Sequence, residues 1–390
     1  MLIDELCPDG VEYRTLASLG RRNKGTAITA SKMKVLALTP GPIRVFAGGQ
    51  TIADVAEDAV PAKDVVRVPS IIVKSRGHIG FTYYTDPFTH KSELWSYTLD
   101  HADIDQKFVY YYLLTRVGAL QELARATSVK LPQLSVRDTD GLRIPVPPLE
   151  VQREIVRILD QFTQLEAELK AELKARTRQY DHYRQEALQP GTDARWSTLG
   201  AISTRTSSGG TPRAGSAKYY ENGIIPWLRT SEVRFGEVWE TEVKITQAAL
   251  DETSAKWIPE NCVIIAISGA TAGRSAVNKI PLTTNQHCCN LEIDPEQADY
   301  RYVFYWVAAN YEKLKALGRG ARADLNSALI KAFEIPLPPL PEQREIVALL
   351  EKFDSLVNGM TIGLPAEIAA RRRQYEHYRD RLLTFEEAAA

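Results

Sequence analysis

One block of sequence occurs twice in this chain, and it limits the possible folds more than any other feature. IPVPPLEVQREIV begins at Ile144 and IPLPPLPEQREIV begins at Ile335, 191 residues later. A second pair of blocks, QYDHYR at Gln179 and QYEHYR at Gln374, stands 195 residues apart, so the later copy is four residues longer in its middle. Matching at several separated blocks marks a duplication, which periodicity alone does not produce.

Each copy predicts a long helix. In the stretch Ile144–Leu188, Pro145, Pro147 and Pro148 lead in, and no Gly or Pro follows until Pro190. Proline is tolerated at a helix start and not in its interior. Apolar residues then recur at Ile155, Ile158, Phe162, Leu165, Leu169, Leu173, Tyr180 and Tyr183, three- and four-residue steps that place one stripe along a helix. Some forty helical residues make a rod of about 60 Å, longer than a globular core needs. The second copy carries Gly359, Gly363 and Pro365, which predict a break around 358–365.

The duplication extends to the whole chain. Val11–Leu16 corresponds to Ala194–Leu199, Ile71–Gly80 to Ile264–Gly273, Thr89–Lys91 to Thr284–Gln286, and Asp105–Tyr111 to Asp299–Tyr305, in the same order. The chain therefore reads head, rod, head, rod, with heads that have diverged far more than rods. Different heads on matched rods suggest two different ligands and one shared structural task. Each head reads as mixed α/β. Val65–Val68, Ile71–Lys74, Phe81–Tyr84, Leu94–Leu99 and Val263–Ile267 are strand candidates. Helices fit Asp105–Ala124 and Tyr300–Leu317.

Length and composition exclude several classes. A chain of 390 residues exceeds one ordinary core, so two or three domains are expected. No signal peptide or membrane-length apolar run is visible, and a cytoplasmic location is expected. Cys7, Cys262, Cys288 and Cys289 show no paired metal spacing. The six histidines show none either. No metal and no cofactor is expected. Gly210–Ser216 imitates a phosphate-loop spacing but lacks its lysine and carries Pro212. No methyltransferase cofactor loop is found, and Asp86, Glu93 and Lys91 are too ordinary a trio to indicate a nuclease.

Nucleic-acid binding has better support, although the net charge of −1 requires any basic surface to be local. Between 205 and 234 stand Arg205, Arg213, Lys218, Arg229 and Arg234, interleaved with Tyr219, Tyr220 and Trp227. Turn-rich segments at SSGGTP (207–212), SRGHIG (75–80) and SGATAG (268–273) would let backbone N–H groups approach phosphates. TSVKLPQL (127–134) and GRGARADLN (318–326) add polar and basic side chains just before each rod.

These blocks together resemble the specificity subunits of Type I restriction–modification systems. The resemblance covers essentially the whole chain. It rests on the two rod openings, SSGGTP, IPWLRTSEV (225–233), SGATAGR (268–274), TTNQ (283–286), KSRGHIGF (74–81) and PFTHK (87–91). It implies an α+β fold: two mixed α/β target-recognition domains separated by two long helices packed as an antiparallel coiled coil, with pseudo-two-fold internal duplication. The expected divisions are recognition domain 1 at 1–143, helical region 1 at 144–190, recognition domain 2 at 191–334 and helical region 2 at 335–390. The implied function is non-catalytic. Each head reads one half of a bipartite, asymmetric site in double-stranded DNA, and the helices set the unread spacer and dock two methyltransferase subunits, with restriction/translocase subunits joining that assembly. A fused restriction or methylation enzyme with unrecognised motifs is the alternative. Carried onto this sequence, the DNA-facing positions are Ser75, Arg76, His78, Lys91, Lys130 and Gln133 in the first half. In the second they are Thr211, Arg213, Ser268, Thr271, Arg274, Asn285, Gln286, Arg319, Arg322 and Asn326.

Overall fold

The computed structural model describes residues 6–49, 51–127, 131–191, 194–318, 324–359 and 363–388. Its principal helices are α1 (Gln106–Thr127), α2 (Leu149–Ala187), α3 (Tyr300–Ala309), α4 (Tyr311–Ala316), α5 (Leu340–Asn358) and α6 (Leu364–Leu382). The chain forms two compact units. Unit 1 comprises Met1–Lys170 with Glu367–Ala390, and unit 2 comprises Ala171–Ala366. Helix α2 thus gives its first part to one unit and its second to the other.

Unit 1 contains β1 (Glu12–Thr15), β2 (Arg21–Lys24), β3 (Ile43–Phe46), β4 (Ile52–Val55), β5 (Ser70–Lys74), β6 (Gly80–Tyr84), β7 (Phe88–His90), β8 (Trp95–Thr98) and β9 (Arg143–Val146). They form a four-stranded sheet in the order β2-β8-β5-β6, a three-stranded sheet β4-β3-β7 and a ribbon β1-β9. Strand β5 explains its own sequence. Ile71 and Val73 enter the core under α1 with Tyr97, Phe108 and Tyr112, while Ile72 enters a second core with Phe46, Phe88 and Leu94. A strand buried on both faces needs apolar residues at consecutive positions.

Unit 2 repeats this plan with β10 (Arg195–Thr198), β11 (Ser203–Ser207), β12 (Ile225–Leu228), β13 (Glu237–Val238), β14 (Val243–Ile245), β15 (Trp257–Ile258), β16 (Val263–Ala266), β17 (Ser275–Asn278), β18 (Leu282–Thr284), β19 (Cys288–Ile293) and β20 (Glu334–Leu337). The sheets are β11-β19-β16-β17-β13, β14-β12-β18-β15 and the ribbon β10-β20. Val263 and Ile265 face one core, Ile264 and Ala266 another. The first core again lies under a helix, α3, through Tyr302, Val303 and Trp306.

The repeated rod opening has a structural reason. Gln152 and its counterpart Gln343 are fully buried. Gln152 accepts the backbone N–H of Asp105 at 2.8 Å and donates to the carbonyls of Asp103 and Pro147, each at 2.8 Å. Gln343 accepts the N–H of Asp299 at 2.9 Å and donates to the carbonyl of Pro338 at 2.8 Å. One amide thus ties the start of a rod to the start of the helix covering each sheet. The preceding residues pair as strands, Arg143–Val146 on Glu12–Thr15 and Glu334–Leu337 on Arg195–Thr198.

Each unit also pairs two helices. In unit 1, Phe162 of α2 lies 5.6 Å from Tyr378 and 6.4 Å from Tyr375 of α6. In unit 2, Tyr183 of α2 stacks on Phe353 of α5 at 5.4 Å. Of the stripe, Ile155 in unit 1 and Tyr180 in unit 2 are buried, and Val151 and Leu159 beside it are buried as well. The expected break appears: α5 ends at Asn358 and α6 starts at Leu364. In unit 1 the tail returns to the first ribbon. The N–H of Val11 donates to the carbonyl of Glu386, and the hydroxyl of Tyr13 to that of Phe385.

Three expectations differ. Val65–Val68 is not a strand; only Val66 bridges, to Phe88, because the tight turn Ala62–Asp64 leaves the run alongside a single residue of β7. The helix expected over Tyr300–Leu317 is interrupted at Asn310, whose φ and ψ are −101° and 22°. The heads also align one residue differently. Ile71 pairs with Tyr97 and Tyr83 as Val263 pairs with Leu291 and Val277, an offset of 192 where sequence similarity suggested 193. Arg274 then corresponds to Gly80, not Phe81.

Candidate nucleic-acid interface

In unit 2, four turns meet at one end of the five-stranded sheet. The N–H of Gly210 donates to the carbonyl of Thr284 at 3.0 Å, and the hydroxyl of Thr211 bonds to the amide of Gln286. The N–H of Ile267 donates to His287 at 2.9 Å, and that of Leu325 to Ile267 at 2.8 Å. The N–H of Gly269 donates to the carboxylate of Asp324 at 3.2 Å. These contacts join the segments 209–213, 285–287, 267–274 and 324–326. They bring together Thr211, Arg213, Ser268, Thr271, Arg274, Asn285, Gln286 and Asn326.

Unit 1 gathers its turns in the same way. The N–H of Thr26 donates to His90 at 2.8 Å, that of Leu134 to Ser75 at 2.8 Å and that of Gly77 to Pro132 at 2.8 Å. Arg76 and Gln133 bridge as an antiparallel pair. Ser75, Arg76, His78, Lys91 and Gln133 are thereby neighbours. Lys130, Arg319 and Arg322 lie outside the described residues. The approach is close at the first turn of each unit. A Cβ on Gly25 would stand 2.4 Å from the carbonyl oxygen of Lys91, and on Gly209 1.7 Å from that of Thr284. Only glycine fits there.

The candidates divide by what their side chains do. Ser75 is buried and donates to the carbonyl of Glu93 at 2.6 Å. Lys91 forms a 2.7 Å ion pair with Glu93. Asn285 is buried and accepts the N–H of His287 at 3.1 Å. Asn326 caps the short helix Ser327–Lys331, accepting the N–H of Leu329 at 2.9 Å. These four shape the turns. Arg76, His78, Gln133, Thr211, Arg213 and Gln286 are exposed.

Charge pairing separates the basic residues further. Arg205 lies 3.5 Å from Glu292, Lys218 2.7 Å from Glu252, Arg229 2.6 Å from Glu242 and Arg234 3.5 Å from Glu242. Among the described residues, Arg213 has no carboxylate at such a distance, and neither have Arg76 and Arg274. An arginine without a counter-charge at a turn is available to phosphate or a base edge. The interleaved aromatics are scaffolding. Tyr220 donates to the carbonyl of Pro212 at 2.8 Å, and the Trp227 indole to that of Gly210 at 3.0 Å.

A buried polar layer supports the turns of unit 1. His90 lies 3.2 Å from the hydroxyl of Ser96, which also accepts from Asn23 at 3.2 Å. Burial holds the His90 imidazole below its ordinary pKa, against smaller upward effects of the Lys91 carbonyl and Glu93. Sequence reading missed Thr26, Asp324 and Gln121. Gln121 accepts the N–H of Ile79 at 3.1 Å and so fixes the turn carrying Arg76 and His78. The glycine before Thr26, at the place of Gly209 in unit 2, could have revealed Thr26, and Asp324 stands within GRGARADLN; nothing local marks Gln121. Among the described residues, no group of three or more His, Cys, Asp or Glu could hold a metal ion. No described helix is long and apolar enough to cross a membrane.

A family model described as the Type I restriction modification DNA specificity domain matches residues 8–175 and again 197–370. The specificity subunit of the EcoR124I/EcoR124II Type I restriction enzyme of Escherichia coli is 36% identical over 291 residues, covering 72% of this chain and 70% of that protein. The Type I restriction–modification S subunit of M. genitalium has a similar fold, with a TM-score of 0.60 at 16% identity and coverage of 96% of both chains. A chain from a structure described as the basis of complex assembly and conformational transition of the type I R-M system gives a TM-score of 0.65 at 15% identity, covering 97% and 98%.

Proposed function

The chain belongs to the family of Type I restriction–modification DNA specificity subunits, and from that premise we propose how its two units divide the work. As a member it is a non-catalytic DNA-recognition subunit that acts within a restriction–modification complex. In our reading, the turns gathered around Arg76 and Gln133 read one half of a bipartite, non-palindromic site. Those gathered around Arg213, Thr211, Gln286 and Arg274 read the other. The observation that carries this is the pair of turn clusters, equivalent in backbone and different in side chains, each with at least one arginine lacking a close counter-charge.

The division of labour follows. Residues 1–143 and 191–334 serve as recognition domains, and 144–190 with 335–390 as helical regions that set the spacer. Two methyltransferase subunits dock on the helical regions, restriction/translocase subunits complete the assembly, and the complex works in the cytoplasm. Ser75, Lys91, Asn285 and Asn326 act by holding turn geometry. Ser268 and Thr271 present hydroxyls from the β16–β17 turn.

Methylome sequencing of cells expressing this chain with its methyltransferase tests the proposal. The expected result is two short motifs of different sequence with a fixed unread gap. A single contiguous motif, or a palindrome, would overturn it.

A further inference from the structure

We propose that Phe235, Arg274, Tyr311 and Lys315 form an additional DNA-contacting platform in unit 2, absent from unit 1. The inference rests on the specificity reading and deepens it.

Phe235 has a φ of +59°. That left-handed conformation is an outlier for a bulky side chain, and such strain gathers at functional positions. Glycine or asparagine would form the same turn with less strain. Burial does not account for the phenylalanine, because it remains 39% exposed. The position is held from both sides. The N–H of Phe235 donates to the carbonyl of Ser275 at 2.9 Å, and its ring meets Tyr311 edge-on at 5.2 Å and 88°.

Two cations complete the platform. The Arg274 guanidinium lies 6.0 Å from the centre of the Phe235 ring, and the Lys315 ammonium 5.2 Å from that of Tyr311. Neither forms a close ion pair among the described residues, although the charge of Glu312 acts on Lys315. Gly273, at φ +86°, seats the turn on Tyr311, where a Cβ would come 3.2 Å from the ring. The helix break at Asn310 precedes Tyr311 directly. In unit 1, α1 runs unbroken and Gln121 supports the matching turn. There, among the described residues, β6 ends the sheet and no strand stands in the place of β13.

An exposed ring, paired with Tyr311 and flanked by two cations, neither locked in a close ion pair, suits double-stranded DNA. The cations neutralise phosphates, and the ring packs on a thymine methyl or a sugar. Arg274 is thereby held at the end of the recognition turn.

The test uses the complex assembled with its methyltransferase and a duplex bearing the methylated motif, with affinity measured across salt concentrations. Lys315→Ala should make the slope of log K against log salt shallower by about 0.9. Phe235→Gly should weaken binding about tenfold with the slope unchanged and Tm unchanged or raised, and should relax sequence preference in one half-site only. Wild-type affinity and wild-type slope in both variants would overturn the platform. If Phe235→Gly lowers Tm, the Lys315→Ala slope alone decides. If the wild-type complex itself shows no sequence preference, the specificity reading fails instead.

Discussion

His90 and Thr284 occupy the same place in the two units, His90 3.2 Å from the Ser96 hydroxyl and Thr284 accepting from Asn290 at 2.9 Å, yet only His90 can titrate. Folding depresses its pKa through burial, so the unfolded chain takes up this proton first. His90 should therefore have no effect on stability at neutral pH and should lower it as pH falls below about 6.5, until the folded form is protonated as well. His90→Thr, which copies Thr284 of unit 2, should flatten that acid slope. Urea unfolding between pH 7.5 and 5 measures it, and an unchanged slope would assign the loss to other groups. Gln152 makes the opposite case, a polar residue that never ionises and that the core cannot spare. Gln152→Ala leaves the Asp105 N–H and two carbonyls without their partner and should cost about 2–4 kcal/mol. Gln343→Ala should behave alike, and losses under about 0.5 kcal/mol would contradict the clamp. Polar residues near turns were recognised as a set, but Ser75 and Asn285 face inward while Arg76 and Arg213 face water. These residues lie in turns just outside the strands, where hydrogen bonds such as Ser75 to Glu93 and His287 to Asn285 decide the direction.

The long helices were the most legible elements, because a period maintained over forty residues has few alternatives. Even so, the visible stripe omitted Val151 and Leu159, both buried in the core that also takes in Phe108 and Tyr112 of the sheet-covering helix. Leu159→Ala should cost about 2–5 kcal/mol by opening a cavity in unit 1, measured by chemical denaturation. Tyr183→Ala, at a position 38% exposed, should cost clearly less. Equal costs would mean that the stripe is buried uniformly. The short strands were legible where both faces are buried, as at Ile71–Val73. They were misread at Val65–Val68, where an apolar run has a neighbour for only one residue. The break at Asn310 was illegible because tertiary contacts impose it: Tyr311 packs under the recognition turn, and no Gly or Pro announces the kink.

At the scale of the molecule, duplication is the fact that the sequence states most openly and the one that orders the rest. Two units share ribbons, buried glutamines and sheet order, and each has its own cores. They differ at the turns, where Arg76 and Gln133 stand in one and Thr211, Arg213 and Gln286 in the other. Conserved scaffolding with divergent turns is what separate readers on one frame require, because frame residues answer to packing and turn residues to ligand. If the units read independently, their errors should be independent too. Arg76→Ala and Arg213→Ala share no partner residue. Each should weaken binding of the assembled complex by about 1–3 kcal/mol and relax base preference in one half-site, a different half for each. The double variant should lose the sum of the two within about 0.5 kcal/mol. Competition binding against duplexes mutated one position at a time measures both quantities. A large coupling energy, or relaxation of both halves by either substitution, would mean that the turns of the two units act on one stretch of DNA, and the bipartite assignment would have to be abandoned.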